Sequence, residues 1–98
     1  MVQLHIISKD MHQANEISAL LRQEKLVLND YILKDVVGRH SNVNEVLIVA
    51  TTKALLFNPI NKILRKKHKH NMPILYAVPI VYMDELQTEE LKSGTTKV

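Results

Sequence analysis

His68 and His70, with Asn71 beside them, are the side chains whose type and spacing come nearest to metal chemistry. Neutral imidazoles suit copper, nickel or zinc. Two ligands fall short of the three or four that a zinc site needs, and the chain has no cysteine and no His-Glu-x-x-His to supply the rest. In an oligomer, His5, His12 or His40 of a neighbouring copy could complete the set. Around the histidines runs a cationic stretch, Arg65, Lys66, Lys67 and Lys69, the candidate anion-binding residues. Such a run is most often a solvated helix end, and the two histidines are read first as solvated surface groups, with a metal site as the competing reading. No catalytic constellation stands out. Asp30 and Asp35 are five residues apart on one strand, which points them to opposite faces. With only Gly38 and Gly94, the chain has no glycine loop to cradle phosphate, and it has no serine-centred nucleophile elbow. The expectation is a binding protein and not an enzyme.

The whole chain sets the frame for these groups. Its 98 residues suit one hydrophobic core, and 46% hydrophobic with 23% charged residues is the composition of a folded protein. Zero cysteines fit a reducing compartment. The N-terminal residues alternate apolar and polar without a basic segment leading into an apolar run, so no signal peptide is expected. No apolar run approaches the ~20 residues of a membrane span. A cytoplasmic protein with no membrane partner is the expectation. The net charge of +3 owes much to the single stretch around Lys66, so the basicity is local.

Val2–Ser8 alternates and is β-branched, which predicts a strand. From Met11, the spacing of Ala14, Ile17, Leu20 and Leu21 predicts a helix with Asp10 as its N-cap. Leu26 to Val37 is strand-like with apolar residues on both parities, and polar residues 38–44 form a turn into a strand over Glu45–Ala50. Thr51 or Thr52 is expected to cap a second helix that runs through Pro59 and ends by Met72, ahead of Pro73. Its basic run then lies near the C-terminal, negative end of the helix dipole. Ile74 to Tyr82 predicts a last strand, with Pro79 marking an edge or a bulge. Asp84 to Leu91 forms a short helix, and residues 93–98 a frayed, flexible tail after a single domain over 1–92.

The order β-α-β-β-α-β defines an α+β, ferredoxin-like sandwich: a four-stranded antiparallel sheet with two helices on one face. Two helices leave the other face of the sheet uncovered, although strands two and four carry apolar residues on both parities. That pattern predicts a homo-oligomer.

The segment from His68 to Ile80 resembles the closing motif of the CutA divalent-cation-tolerance family, within the PII-like proteins. His68, Pro73, Ala77 and Pro79 match in type, and positions 72, 78 and 80 match in apolar character. Val46–Thr52 is similar to that family's third strand with its Thr-Thr pair, and Ile17 to Leu26 to its first helix and exit. The resemblance implies a homotrimer, ligand sites in clefts between subunits, and a role in copper or other divalent-metal tolerance or in small-ligand sensing. Any cofactor it implies is a divalent copper or zinc ion. The departures fall at positions the family associates with metal and assembly. Asn29 stands where the family has cysteine and Ile74 where it has glutamate, while His70 and Asn71 replace Tyr and Glu. The hairpin arm is shortened to about 38–44.

Two other classes compete. RNA-recognition domains share the strand order, but they display stacking aromatics on central strands, and Val46–Ala50 is wholly aliphatic. Nucleic acid is therefore the lesser reading, carried by the basic end of helix two. A structural protein-interaction domain using the uncovered sheet face is the third.

Overall fold

The computed structural model describes residues 1–37 and 44–97. In chain order the elements are β1 (Val2–Ser8), α1 (Met11–Gln23), β2 (Asn29–Val37), β3 (Asn44–Thr52), a 3₁₀ turn (Ala54–Leu56), α2 (Phe57–Lys67), β4 (Ile74–Pro79) and α3 (Glu85–Gly94). The strands form one antiparallel sheet in the order β2-β3-β1-β4. This is the ferredoxin-like arrangement that the element order predicts.

Opposed residues of an antiparallel pair share a face, so the register sorts the side chains. Leu4, Ile6 and Ser8 lie opposite Ala50, Ile48 and Val46, and all six are buried. Against them α1 packs Ala14, Ile17 and Leu21, and α2 packs Ile60 and Leu64. These residues form one core, between the helices and one face of the sheet.

The helix starts and stops follow local chemistry. Asp10 caps α1, accepting from the Gln13 N–H at 2.8 Å. At the other end the Leu26 N–H donates to the Leu21 carbonyl at 2.9 Å and the Lys25 N–H to that of Arg22 at 3.1 Å. That is a Schellman motif, and Lys25 holds its left-handed position at φ 54° without being glycine. Leu26 and Val27, expected to open the second strand, are instead buried in the loop ahead of it.

The second helix departs from expectation at its start. β3 continues through Thr52, whose hydroxyl donates to the Leu26 carbonyl, so neither threonine caps a helix. The chain turns through 3₁₀ geometry, and α2 begins at Phe57 with no side-chain cap. Pro59 then sits in the first turn, where its missing N–H has no helical partner to lose. β4 stops at Pro79, on an edge strand where the lost donor costs no ladder bond, and not at Tyr82.

A bulge in β2 accounts for its two apolar parities. Leu33 opposes Leu47 but Val36 opposes Glu45, so one extra residue is inserted, with Asp35 at φ 55°. The bulge turns Val36 to the face already occupied by Tyr31 and Leu33.

Residues 93–97 do not form the expected frayed tail. α3 runs to Gly94, and its Leu91 is fully buried. Thr95 is buried with its hydroxyl on the Leu91 carbonyl, the Thr96 N–H donates to the Lys25 carbonyl at 2.8 Å, and Lys53 Nζ donates to the Thr96 carbonyl at 2.9 Å. The ordering of this segment comes from contacts with the distant α1–β2 turn. Residues 38–43 of the expected hairpin turn lie outside the described residues.

Candidate functional site

At one end of the sheet, where β1 finishes and β4 begins, the β1–α1 turn meets the α2–β4 turn. Gln13 joins them. It is 3% exposed. Its Oε1 accepts from the Lys9 N–H at 2.9 Å, and its Nε2 donates to the Asn71 carbonyl at 2.8 Å and lies 3.4 Å from His68 Nδ1. With Asp10 capping the Gln13 N–H, the pair makes a variant of the capping box in which the glutamine reaches one residue further back. The signal for it in the sequence is Asp10-x-x-Gln13, whose glutamine is a positioning residue that motif reading passed over.

This places the sequence candidates in different environments. His68 is 8% exposed and lines a groove of about 390 Å³ between α1 and the end of α2 with Glu16, Gln23 and Lys67. His70 is exposed. Among the described residues, no group of three or more His, Cys, Asp or Glu side chains comes close enough to hold a metal ion. His12, on α1, pairs with Glu16 at 2.7 Å. His40 lies outside the described residues.

His5 lies on the far face of the sheet. Its Nδ1 is 3.2 Å from the Tyr76 hydroxyl and its Nε2 is 2.8 Å from Gln3 Oε1. The glutamine oxygen can only accept, which assigns the proton to Nε2 and leaves Nδ1 to accept from Tyr76. Around this trio the face is apolar. Ile7, Leu47 and Val49 are partly exposed, and Tyr31, Leu33, Ile74 and Val78 are exposed, Ile74 to 57%. Among the described residues, no helix packs over the middle of this face. Its margin near Asn29, Tyr31 and Thr51 borders Met83, ahead of α3, and Gln87 and Glu90 on α3.

The cations gather on the helix side instead. Arg65, Lys66, Lys67 and Lys69 are exposed, and none is in an ion pair among the described residues. A second polar cluster, Ser18, Arg22 and Asp30, ties α1 to β2. The Ser18 hydroxyl donates to Asp30, whose other oxygen lies 3.5 Å from Arg22 Nε. Among the described residues no histidine adjoins the serine, whose only carboxylate partner also faces Arg22, so the cluster is a structural latch. Asp30 and Asp35 do not meet, since Asp35 sits in the bulge. Ser8 Oγ, fully buried, has no hydrogen-bond partner among the described residues.

The fold and this arrangement define the class, a ferredoxin-like α+β protein with one apolar sheet face left open. Comparison with solved structures narrows the fold to that of CutA. The chain superposes on CutA from Xylella fastidiosa with a TM-score of 0.85, at 19% identity over 97% of each chain. On the divalent ion tolerance protein CutA1 from Ehrlichia chaffeensis the TM-score is 0.83, at 17% identity over 98% of this chain and 95% of that one. On the divalent cation tolerance protein from Thermus thermophilus it is 0.80, at 19% identity over 98% and 100%. The sequence matches no protein-family model. It matches no curated protein either.

Proposed function

We propose that the chain is a CutA-like homo-oligomeric binding or regulatory protein, a trimer, that acts in divalent-metal tolerance or small-ligand sensing and catalyses no reaction. The observation that carries this reading is the apolar, uncovered face of the sheet around Ile74, Val78, Leu47 and Val49. A folded monomer rarely leaves such a patch to water. Copies packed through it, with β2 and β4 offering unpaired strand edges, would bury it and remove the edges together. The fold shared with proteins described as divalent ion tolerance proteins agrees with the reading.

Within this proposal the ligand sites are clefts between copies. A copper or zinc site would use His68 and His70, completed by a histidine or carboxylate of a neighbour, because the described residues of one chain bring no three such ligands together. Sedimentation velocity tests the assembly, with a species of three times the chain mass expected and a monomer at all concentrations overturning it. Calorimetric titration with copper, zinc and nucleotides tests the ligand, and silence with all of them removes the binding claim. Loss of a copper isotherm in a His68→Ala, His70→Ala variant that still assembles would place the metal.

A further inference from the structure

The basic end of α2 is built more deliberately than a solvated helix terminus requires. Lys62, Arg65 and Lys66 recur at the three- and four-residue spacing of one helical stripe, about 6 Å long at 1.5 Å per residue, on the side away from buried Ile60 and Leu64, and Lys69 follows in the turn after the helix. Lys67 flanks them. Lys9 extends the patch from the neighbouring turn, its Nζ lying 3.3 Å from the Asn71 side-chain oxygen when that amide is oriented to satisfy both its partners.

Two features separate this patch from an ordinary charged surface. Its cations form no ion pair among the described residues, while Asp10 caps α1 and Glu16, which lines a groove with Lys67, pairs with His12. The backbone that presents it is fixed, because Gln13 holds the Asn71 carbonyl and abuts His68 while the Asn71 N–H closes a turn on the His68 carbonyl at 3.1 Å. A further acidic group, Asp84, Glu85, Glu89 and Glu90, lies along α3 past the far end of β4. The cations are therefore concentrated at one end of the molecule, away from that acidic group.

We propose that this patch binds the phosphate backbone of double-stranded nucleic acid without sequence preference. The partner follows from what the patch contains and lacks. Rows of Lys and Arg on an ordered helix match a rigid row of phosphates and gain affinity by releasing counterions. The exposed aromatic rings, Tyr31, Tyr76 and Tyr82, lie on the open sheet face and after β4. The patch therefore lacks the stacking platform a single strand calls for. It also lacks the aromatic or leucine wedge that anchors a basic helix in a lipid surface. A duplex requires neither. This surface lies on the helix side, away from the sheet face proposed for assembly, so the two readings fail separately.

The test is fluorescence anisotropy of a labelled 20-base-pair duplex titrated with the full chain at 50 to 200 mM salt. Four phosphate contacts would weaken binding about 100-fold across that range, at a slope near 0.9 per phosphate. Reversal of Arg65, Lys66, Lys67 and Lys69 to Glu should abolish binding. Neutralising Lys67→Gln with Lys69→Gln should cut the salt slope by about half, since two of those four contacts go, and Lys92→Glu on α3 should leave it unchanged. Circular dichroism of each variant confirms that the fold survives. No binding of the wild-type chain at 50 mM salt overturns the proposal. So does binding that the charge reversal leaves intact, or binding to anionic phosphatidylserine vesicles as tight as to the duplex at equal phosphate.

Discussion

The side-chain nitrogen of Gln13, in the first turn of α1, donates to the main-chain oxygen of Asn71 at 2.8 Å across 58 residues of sequence. The same amide accepts from Lys9 and approaches His68. One buried side chain thereby fixes the turn that carries His68, Lys69 and His70 against the turn that carries Lys9.

Replacing Gln13 with Leu should destabilise the protein by about 1–3 kcal/mol, because it strands the Lys9 N–H and the Asn71 carbonyl. The urea midpoint should fall at unchanged m-value. A midpoint within error of the wild type would show that water replaces the amide without loss.

Lys25 occupies the left-handed position of the Schellman motif at φ 54°, where a side chain is strained. Lys25→Gly should raise stability by about 1 kcal/mol, the cost of that conformation for a non-glycine residue. Its carbonyl keeps its bond to the Thr96 N–H. Chemical unfolding measures the gain, and a loss of stability would mean that the unfolded-state entropy of glycine outweighs the relief of strain.

Leu91 is the buried residue of α3. Leu91→Ala should release this helix locally while the sheet stays intact, since truncating a buried leucine costs about 2–5 kcal/mol and the rest of α3 offers little to offset it. Hydrogen exchange should then speed up over 85–94 and stay slow in β1 and β3. Uniform acceleration would make α3 part of the global cooperative unit.

Ile74 and Val78 lie exposed on β4, on the uncovered face. Changing both to Lys should leave the monomer's circular dichroism unchanged and shift light-scattering mass to that of one chain. An unchanged oligomer would move the contact surface away from this face.

The Ser18–Asp30–Arg22 latch offers a test of burial against exposure. The Asp30 side chain is 7% exposed and that of Arg22 is 61% exposed. Arg22→Ala should cost less than about 1 kcal/mol, as exposed partners of ion pairs do, while Asp30→Ala should cost about 1–3 kcal/mol by leaving the buried Ser18 hydroxyl without its acceptor. Equal effects in thermal unfolding would show that the ion pair, and not the serine bond, holds α1 to β2.

Much of the architecture was legible along the chain because periodicity is local. The alternation in Val2–Ser8, the helical spacing of Ala14, Ile17 and Leu21, and the Asp10 cap each specify an element without reference to distant residues. The His68 to Ile80 resemblance pointed to the CutA fold on the same local footing. Element ends were less legible. Thr52 reads as a helix cap until the fold supplies the Leu26 carbonyl as a competing acceptor, and residues 93–98 read as a tail until the α1–β2 turn is placed beside Thr96.

The sequence by itself determined the strand and helix order, the open apolar parity of the sheet, and the basic composition of the end of α2. Tertiary structure alone decided which side chains face one another. The β2 bulge, which turned Val36 to the open face, is one such decision, and the burial of His68 against Gln13 beside an exposed His70 is another. The physical reason is the same in both cases. Hydrophobic spacing is encoded residue by residue, whereas a hydrogen bond between positions 13 and 71 exists only after the sheet has brought the ends of β1 and β4 together.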